Sequence, residues 1–281
     1  MTEVKLVLDY EDHEKGLTME KMIDELAAKP ESHELDSLII GSWGDAYEND
    51  SSHLMEALIR NHDSFPNLKK LFIGDMEGEE CEVSWINQCD LSPLLAAFPA
   101  LTSFTVKGSQ GLRLSDMKHA QLEELTIICG GLPLEVIKDI QQAELPELKK
   151  LELYLGVDNY GWDGTVDDLA PFMQSQLFPK LTYLGLKNSE IQDEIATAIA
   201  DAPILDQLHT LDLSLGTLSD VGAEALIASS RIKKLSFLNL NYHYMSEAMM
   251  KRWGETGMQV DVSDQEGDSD DDDWRYPAVT E

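Results

Sequence analysis

The sequence predicts an α/β solenoid, a horseshoe in which parallel strands line the concave face and helices cover the convex face. Three observations lead to this prediction. A short leucine-rich phrase recurs eight times between Leu35 and Leu240, and a proline precedes four of the copies. Between copies the hydrophobic period changes from 2 to 3.6 residues, which indicates helices between strands. Units repeated at such spacing stack and bury one continuous core.

The repeated phrase is L-x-x-L-x-L with conservative replacements. Its copies begin at Leu35, Leu68, Leu101, Leu122, Leu148, Leu181, Leu208 and Leu235. The seven intervals span 200 residues, so one repeat takes about 29 residues. We number repeat positions from the first leucine. Because strand side chains alternate, the leucines at positions 4 and 6 face the core, and positions 3, 5 and 7 form the opposite surface, here called the strand face.

The prolines support this register. They stand two residues before the first leucine in FPNL, FPAL, LPEL and FPKL, which begin at Phe65, Phe98, Leu145 and Phe178. Proline lacks an N–H and disfavours helix at the preceding residue, so it ends one helix and leads into the next strand. We expect the apolar residue before each proline to fill the corner between helix and strand.

The remaining elements follow from the hydrophobic pattern. Helices are expected over Thr18–Ala28, Ser52–Asn61, Leu134–Ala143, Asp167–Gln176, Ile191–Ile199, Asp220–Ala228 and Glu247–Trp253. Ser189 with Gln192, and Thr165 with Asp168, form capping-box patterns. The short interval after Leu101 leaves room only for a turn around Leu114–Met117. Additional strands at Val4–Leu8 and Met258–Val262 are expected to cover the two edges.

Three parts are predicted along the chain. Residues 1–34 form an N-terminal cap of a strand plus a helix, and residues 35–262 form the solenoid of about eight repeats with its closing strand. Residues 263–281 form an acidic tail that we expect to be disordered, because Asp268 and Asp270–Asp273 repel one another. Alternatively, this acidic block docks on the chain's own lysines, or the aromatic end around Tyr276 folds back onto the body.

The repeats resemble those of leucine-rich-repeat proteins of the ribonuclease-inhibitor-like kind, from about Leu35 to Val262. Such repeats often carry Asn or Cys at position 9. That position is occupied here by Trp43, Met76, Ser109, Gly130, Gly156, Ser189, Gly216 and His243. The turn after each strand is therefore expected to be less regular. The whole chain also resembles a bacterial family of cytoplasmic leucine-rich-repeat proteins encoded near radical-SAM-type and hydrolase-like enzymes, which implies an enzyme-associated scaffold.

Composition excludes several classes of partner. The 281 residues contain 21 Lys+Arg and 53 Asp+Glu, for a net charge of −32. Such a chain repels phosphate backbones and anionic lipid, so neither nucleic acid nor a membrane is expected as a partner. Three cysteines without a C-x-x-C pair suit a reducing compartment. With no signal-peptide pattern at the start, we expect a cytoplasmic protein, and we favour a monomer.

A search for chemistry finds no catalytic set. Phosphate-loop, dinucleotide and H-E-x-x-H motifs do not occur in the sequence, and the seven histidines are scattered. His209 and His243 are interpreted as surface residues, and the S-x-x-K match at Ser115–Lys118 as coincidental. We therefore predict no catalytic residues, no metal site and no cofactor.

Two surfaces are candidates for binding. The strand face carries lysines, aromatic residues and acids at Lys70, Phe72, Lys107, Lys150, Glu152, Tyr154, Tyr183, Lys187 and Asp212. Its centre is predicted to be a Tyr154/Tyr183 pair flanked by Lys150 and Lys187, although a merely solvated sheet face fits the same pattern. The second surface is the loop GVDNYGWDGT, in which Tyr160 and Trp162 could anchor a partner or pack on the edge of the sheet.

The function expected from these features is a non-catalytic scaffold or adaptor that binds another protein or peptide through the strand face and strand-end loops. The alternative is a subunit that steers substrate to a peptide- or protein-modifying enzyme. A third possibility is cation binding by the acidic loop that contains Asp158 and Asp163 together with the tail, although the loop lacks a calcium-binding motif.

Overall fold

The structure is a computed structural model that describes residues 2–267 and 275–281. The chain divides into two units. The first comprises Met1–Cys129 and Lys138–Leu148, and the second comprises Gly130–Ile137 and Lys149–Thr280. The three-part division expected from the sequence stays a prediction.

Parallel strands form the sheet of each unit, and they pair in the order in which they occur in the chain. In the first unit they are β1 (Glu3–Leu6), β2 (Ser37–Ile40), β3 (Lys70–Ile73), β4 (Ser103–Lys107) and β5 (Glu124–Ile128). In the second they are β6 (Lys150–Gly156), β7 (Tyr183–Ser189), β8 (Thr210–Asp212), β9 (Phe237–Asn239) and β10 (Val260–Asp261). The predicted α/β architecture of parallel strands is confirmed.

Short helices connect successive strands, except between β4 and β5, where residues 108–123 contain no helix, as the short interval after Leu101 predicts. The α-helices are α1 (Tyr10–Glu14), α2 (Met19–Ala27), α3 (Ser52–Arg60), α4 (Ser92–Ala97), α5 (Leu134–Gln141), α6 (Gln192–Ile199), α7 (Asp220–Ala228) and α8 (Glu247–Glu255). Segments of 3-10 helix occupy Pro30–Glu34, His62–Ser64, Val83–Trp85, Asp158–Tyr160, Val166–Met173, Pro203–Asp206 and Ile232–Lys234. In residues 2–267 and 275–281 no helix has the length and apolar character needed to cross a bilayer.

The leucine register and the proline corners are confirmed. Leu151 and Leu184, at position 4 of their repeats, are fully buried. The apolar residue before each of the four prolines is also buried, as Phe178 illustrates. Its carbonyl accepts a hydrogen bond from the N–H of the first leucine of the next repeat, Leu181, over 3.1 Å. This tight turn leads the chain from helix into strand.

Two local predictions are wrong, and two short helices were not predicted. Residues 166–173 form a 3-10 helix rather than an α-helix, and they include Pro171, which lacks the N–H that an α-helix would use there. Thr165 and Asp168 form the expected capping box at its start. Ser189 and Gln192 do not form one, because the Gln192 amide donates instead to the Leu186 carbonyl. Helices α1 and α4 were not predicted, since each has six residues or fewer.

Position 9 of the repeats is buried even without asparagine. His243 is fully buried there, which corrects its interpretation as a surface residue. Its Nε2 lies 2.9 Å from the Val262 carbonyl oxygen, and its Nδ1 accepts from the N–H of Met245 over 3.1 Å. One side chain thus joins main-chain groups of two neighbouring segments. His209 is exposed, as expected.

The described parts of the segment after Ser263 make contacts within the second unit, and the disorder expected for the tail stays a prediction. Gln265 forms a β-bridge with His243. Residues 275–280 are here called the returning segment. They lie against the C-terminal ends of β7, β8 and β9 and form hydrogen bonds with Asn188, Leu215 and Tyr242. The Asp270–Asp273 block and Asp268 lie outside the described residues, so docking of that block on lysines stays a prediction.

Candidate functional site

The strand face of the second unit brings together six of the predicted binding residues. Strand register places Lys150 beside Tyr183, and Tyr154 beside Lys187. Between these two pairs, Glu152 on β6 and Asp212 on β8 both lie beside Gly185 of β7. The glycine leaves room for its neighbours, because a Cβ at that position would lie 3.3 Å from both Glu152 Cγ and Tyr183 Cε1.

Lys187 forms ion pairs with the carboxylates on both sides of Gly185. Its Nζ lies 3.2 Å from Glu152 Oε1 and 3.1 Å from Asp212 Oδ2. The three residues are only 3–8% exposed. Lys150 adds a second ion pair, with its Nζ 2.6 Å from Glu152 Oε2. Two lysines therefore balance two carboxylates, and the centre of the face is a neutral ionic network rather than a cationic groove.

Each lysine also holds one tyrosine ring. Lys150 Nζ lies 4.8 Å from the centre of the Tyr183 ring, and Lys187 Nζ lies 5.0 Å from the centre of the Tyr154 ring. Both distances are within the range of cation–π attraction. The Tyr183 hydroxyl donates to Asp212 Oδ2 over 2.6 Å. Both tyrosines are half-buried, so their positions are fixed while part of each side chain stays accessible.

Electrostatics holds Lys187, Asp212 and Tyr183 in their ordinary charge states. Burial alone would lower the pKa of Lys187, but the negative charge of Asp212 and that of Glu152 outweigh it, and the pKa is raised. Burial opposes ionisation of Asp212, yet Lys187 and Ser214 lower its pKa. Burial, reinforced by the Asp212 charge, raises the pKa of Tyr183. At neutral pH the network therefore contains ammonium, carboxylate and neutral phenol groups.

Three predicted strand-face residues belong to the first unit. Lys70 is exposed, and Phe72 and Lys107 are half-buried. Strand pairing sets Lys70 beside Ser103, and Phe72 beside Thr105. The Lys107 ammonium donates to the Met76 carbonyl oxygen. This part of the strand face thus has scattered polar contacts and no counterpart of the network around Lys187 among the described residues.

The two aromatic residues between β6 and the 3-10 helix Val166–Met173 differ in exposure. Tyr160 is half-buried, whereas the Trp162 side chain is 3% exposed and offers almost no surface to a partner. The chain turns inward at Gly161, whose φ of 115° suits glycine, and the Trp162 N–H donates to the Val157 carbonyl over 3.1 Å. Gly164 gives the indole room, since a Cβ there would lie 3.0 Å from it.

Other chemistry-bearing residues have structural contacts. Lys118, of the S-x-x-K match, forms an ion pair with Glu144. In the acidic loop, Asp163 accepts from the N–H of Leu134, at the start of α5, over 2.7 Å. Among residues 2–267 and 275–281, His, Cys, Asp and Glu side chains form no group of three that could hold a metal ion.

The sequence pattern did not reveal that Lys187 is buried. Position 7 of a repeat was expected on the strand face, where Lys150 and Lys187 were predicted to flank a Tyr154/Tyr183 pair. The overlooked signal is Gly185, a residue without a side chain between an acid on β6 and an acid on β8. Such a gap admits a long neighbouring side chain, and a lysine fits because its charge meets both acids.

A solved structure matches the chain over nearly its whole length. It is the crystal structure of a Bacteroides fragilis protein that is 35% identical in sequence, with a TM-score of 0.92. The match covers 99% of this chain and 77% of that chain. The chain belongs to the same family as this Bacteroides fragilis protein. Members of the family therefore share the arrangement of parallel strands and short helices described above.

Other comparisons add little. An internalin from Listeria monocytogenes is 14% identical with a TM-score of 0.39, and the match covers 85% of this chain and 71% of that chain. At that TM-score the likeness says nothing about the fold. No family model and no curated protein matches the chain.

Proposed function

We propose that this chain is a leucine-rich-repeat horseshoe that acts as a non-catalytic scaffold or adaptor. It binds another protein or peptide through its strand face and strand-end loops, with Tyr154 and Tyr183 as the anchoring residues of the strand face. The observation that carries this proposal is the pair of half-exposed tyrosines, each held by a lysine 4.8–5.0 Å away. The net charge of −32 supports a protein partner rather than nucleic acid.

Anchors that are fixed before binding favour affinity. Tyrosine is enriched among residues that dominate binding energy, because it buries a large ring and retains a polar end. Ordering a mobile side chain at an interface costs about 0.5–1.5 kcal/mol. Tyr183 avoids much of this cost because its hydroxyl is already bonded to Asp212 and its ring already packs against Lys150.

The charge states of the network support a non-catalytic role. A nucleophilic lysine needs a lowered pKa, and a general base needs a pKa near the working pH. The surroundings of Lys187 and Asp212 shift both pKa values in the opposite directions, toward permanent charge. The network is thus suited to rigidity and recognition rather than proton transfer.

Alanine replacement of both tyrosines tests the proposal. We expect Tyr154→Ala with Tyr183→Ala to abolish affinity capture of a specific partner, identified by mass spectrometry, while circular dichroism shows an intact fold. The matched control replaces two exposed tyrosines of the first unit, Tyr10→Ala with Tyr47→Ala, and should retain capture. If the strand-face variant still captures the partner at wild-type level, the binding site lies elsewhere.

A further inference from the structure

The returning segment follows a row of equivalent turns. Asn188, Leu215 and Tyr242 each stand at position 8 of their repeats, at the C-terminal end of β7 and three residues beyond β8 and β9, and their φ angles are 55°, 64° and 58°. This left-handed conformation is uncommon for residues other than glycine. Its recurrence at one repeat position makes three successive turns alike, and they present hydrogen-bonding groups in a row.

The site grips the main chain of the returning segment at its far end. The Val279 N–H donates to Asn188 Oδ1 over 2.8 Å, and Asn188 Nδ2 donates to the Val279 carbonyl over 2.6 Å. The N–H of Ala278 donates to the Leu215 carbonyl over 2.9 Å. The Asn188 amide thus hydrogen-bonds to both the N–H and the carbonyl of Val279, as the main chain of a neighbouring strand would.

Two tyrosines bind the main chain at Tyr276, near the start of the returning segment. The hydroxyls of Tyr242 and Tyr244 donate to the Tyr276 carbonyl over 3.2 and 3.1 Å. The Tyr276 N–H donates in turn to the Tyr244 hydroxyl over 3.1 Å. The two rings meet edge to face, with centres 6.3 Å apart, so each fixes the other.

Side chains of the returning segment add a simple specificity. Pro277 is buried, and Arg275 Nη1 lies 3.8 Å from Asp193 Oδ2, with both of these side chains mostly covered. Asp193 is itself fixed by the N–H groups of Ser219 and Gly222, at 2.8 and 3.0 Å. Tyr276 lies between the arginine and the proline, and its side chain is 56% exposed, so the site does not select for the residue at this position.

We propose that the C-terminal ends of β7, β8 and β9, with the residues that follow β8 and β9, form a binding site for a protein segment with an arginine two residues before a proline. The returning segment is the intramolecular ligand of this site, and a partner segment of the same chemistry displaces it. This inference rests on the proposed binding function and names the ligand class of its strand-end loops. The main-chain contacts resemble those of peptides that add to a sheet edge, in which backbone bonds supply affinity and pockets supply specificity.

The returning segment is suited to displacement. Its central residues Tyr276 and Ala278 are exposed, and the hydrogen bonds it makes are ones that any extended chain can reproduce. Its advantage over an external segment is its covalent attachment, which supplies a high effective concentration. A partner segment must therefore outcompete an attached copy.

The test uses the full chain with one main-chain donor removed. Val279→Pro deletes the N–H that Asn188 accepts and should release the returning segment. Val279→Ala keeps the donor and is the control. The probe is a fluorescent peptide with the sequence of residues 275–281, RYPAVTE. We expect it to bind the Val279→Pro chain at least about tenfold more tightly than the wild-type or Val279→Ala chain.

A second substitution identifies the site. Asn188→Gly tolerates the positive φ but removes the amide, so in the Val279→Pro background it should weaken peptide binding about tenfold or more, as expected for two lost hydrogen bonds. Replacing arginine by glutamate, or proline by alanine, in the peptide should also weaken binding. Equal binding to the wild-type and Val279→Pro chains, or no effect of Asn188→Gly, would overturn the proposal.

A measurement on the wild-type chain covers the case in which Val279→Pro does not fold. Excess peptide should raise hydrogen exchange of the Ala278 amide, which is otherwise bonded to Leu215, and an unchanged exchange rate would contradict displacement. The outcome is separable from the proposed function. The variant with Tyr154→Ala and Tyr183→Ala should bind the peptide normally, since the main-chain contacts of the returning segment are made by Asn188, Leu215, Tyr242 and Tyr244.

Discussion

Lys187 shows how one residue can determine the character of a surface. It is almost fully buried and faces two carboxylates, those of Glu152 and Asp212. Removing one partner of a buried ionic group costs far more than removing an exposed pair, because the remaining charge stays desolvated. The strand face is therefore expected to be stable with the Lys187 ammonium in place and unstable without it.

We predict that Lys187→Met destabilises the fold by about 3–5 kcal/mol in urea denaturation, because it leaves two carboxylates without their shared cation. Lys150→Met is the matched control. Its side chain is 35% exposed, and Glu152 would keep Lys187, so the expected loss is at most about 1 kcal/mol. Equal losses for the two variants would show that burial of Lys187 does not matter.

His243 makes stability depend on pH. Burial lowers its pKa, and this effect outweighs the attraction of nearby acids such as Asp261. The unfolded chain, with a histidine pKa of about 6.5, then binds a proton more readily than the folded chain. The stabilisation is complete above that pKa and is lost as pH falls below it.

We expect the free energy of unfolding to decrease as pH falls from 7 toward 5.5, with His243 contributing at most about 1.4 kcal/mol per pH unit. His243→Asn should reduce this slope, whereas His209→Asn, at an exposed position, should leave it unchanged. Denaturation at several pH values measures both. A slope that His243→Asn does not alter would contradict the account.

At the scale of elements, the end of β6 depends on close approach of two main-chain segments. Gly156 has a φ of 75°, and a Cβ there would lie 1.8 Å from the Gly130 carbonyl oxygen. The Val157 N–H bonds to that same oxygen over 2.9 Å. No side chain fits between the strand end and this turn.

Gly156→Ala should therefore prevent folding or cost more than about 3 kcal/mol, since backbone must move to admit a methyl group. Gly254→Ala is the control, because this helical glycine has nothing within 4 Å of the added Cβ. That change should be neutral or stabilise by up to about 1 kcal/mol. Thermal unfolding distinguishes the outcomes, and similar melting temperatures for both variants would contradict the close packing at Gly156.

The leucine ladder is the second element-scale feature. Leu184 is fully buried at the centre of β7, so Leu184→Ala should cost about 2–5 kcal/mol. Thr210→Ala, on the strand face, should cost much less because its side chain is half-exposed. A loss under about 1 kcal/mol for Leu184→Ala would contradict the register of the repeat.

Elements governed by period and spacing could be predicted from sequence. Leucines at positions 4 and 6 identify the strands because their burial follows from simple alternation, and α7 begins and ends where expected, at Asp220 and Ala228. Periodicity alone failed where a proline decides, since the segment around Pro171 forms a 3-10 helix. For Trp162 the sequence left both binding and packing open, and Gly161 and Gly164 make room for it to pack inward.

At the scale of the whole molecule, the net charge of the chain differs from the local charge at the centre of the strand face. The chain carries a net charge of −32, yet the centre of the strand face is neutral because its lysines are paired within the network. Sequence alone identified the six residues of that centre but not their pairing, since register across three strands decides which charges meet. The return of the C-terminal segment was one of the alternatives open from the sequence, but its contacts could not be predicted, because Asn188 and Val279 are 91 positions apart.

The central claim is that a protein partner contacts the strand face at Tyr154. The most direct measurement is site-specific photo-crosslinking with a benzophenone side chain placed at position 154, compared with the same group at position 10, an exposed site in the first unit. We predict that position 154 yields a discrete crosslinked protein species and that position 10 does not. Crosslinking at position 10 alone, with none at position 154, would contradict the account.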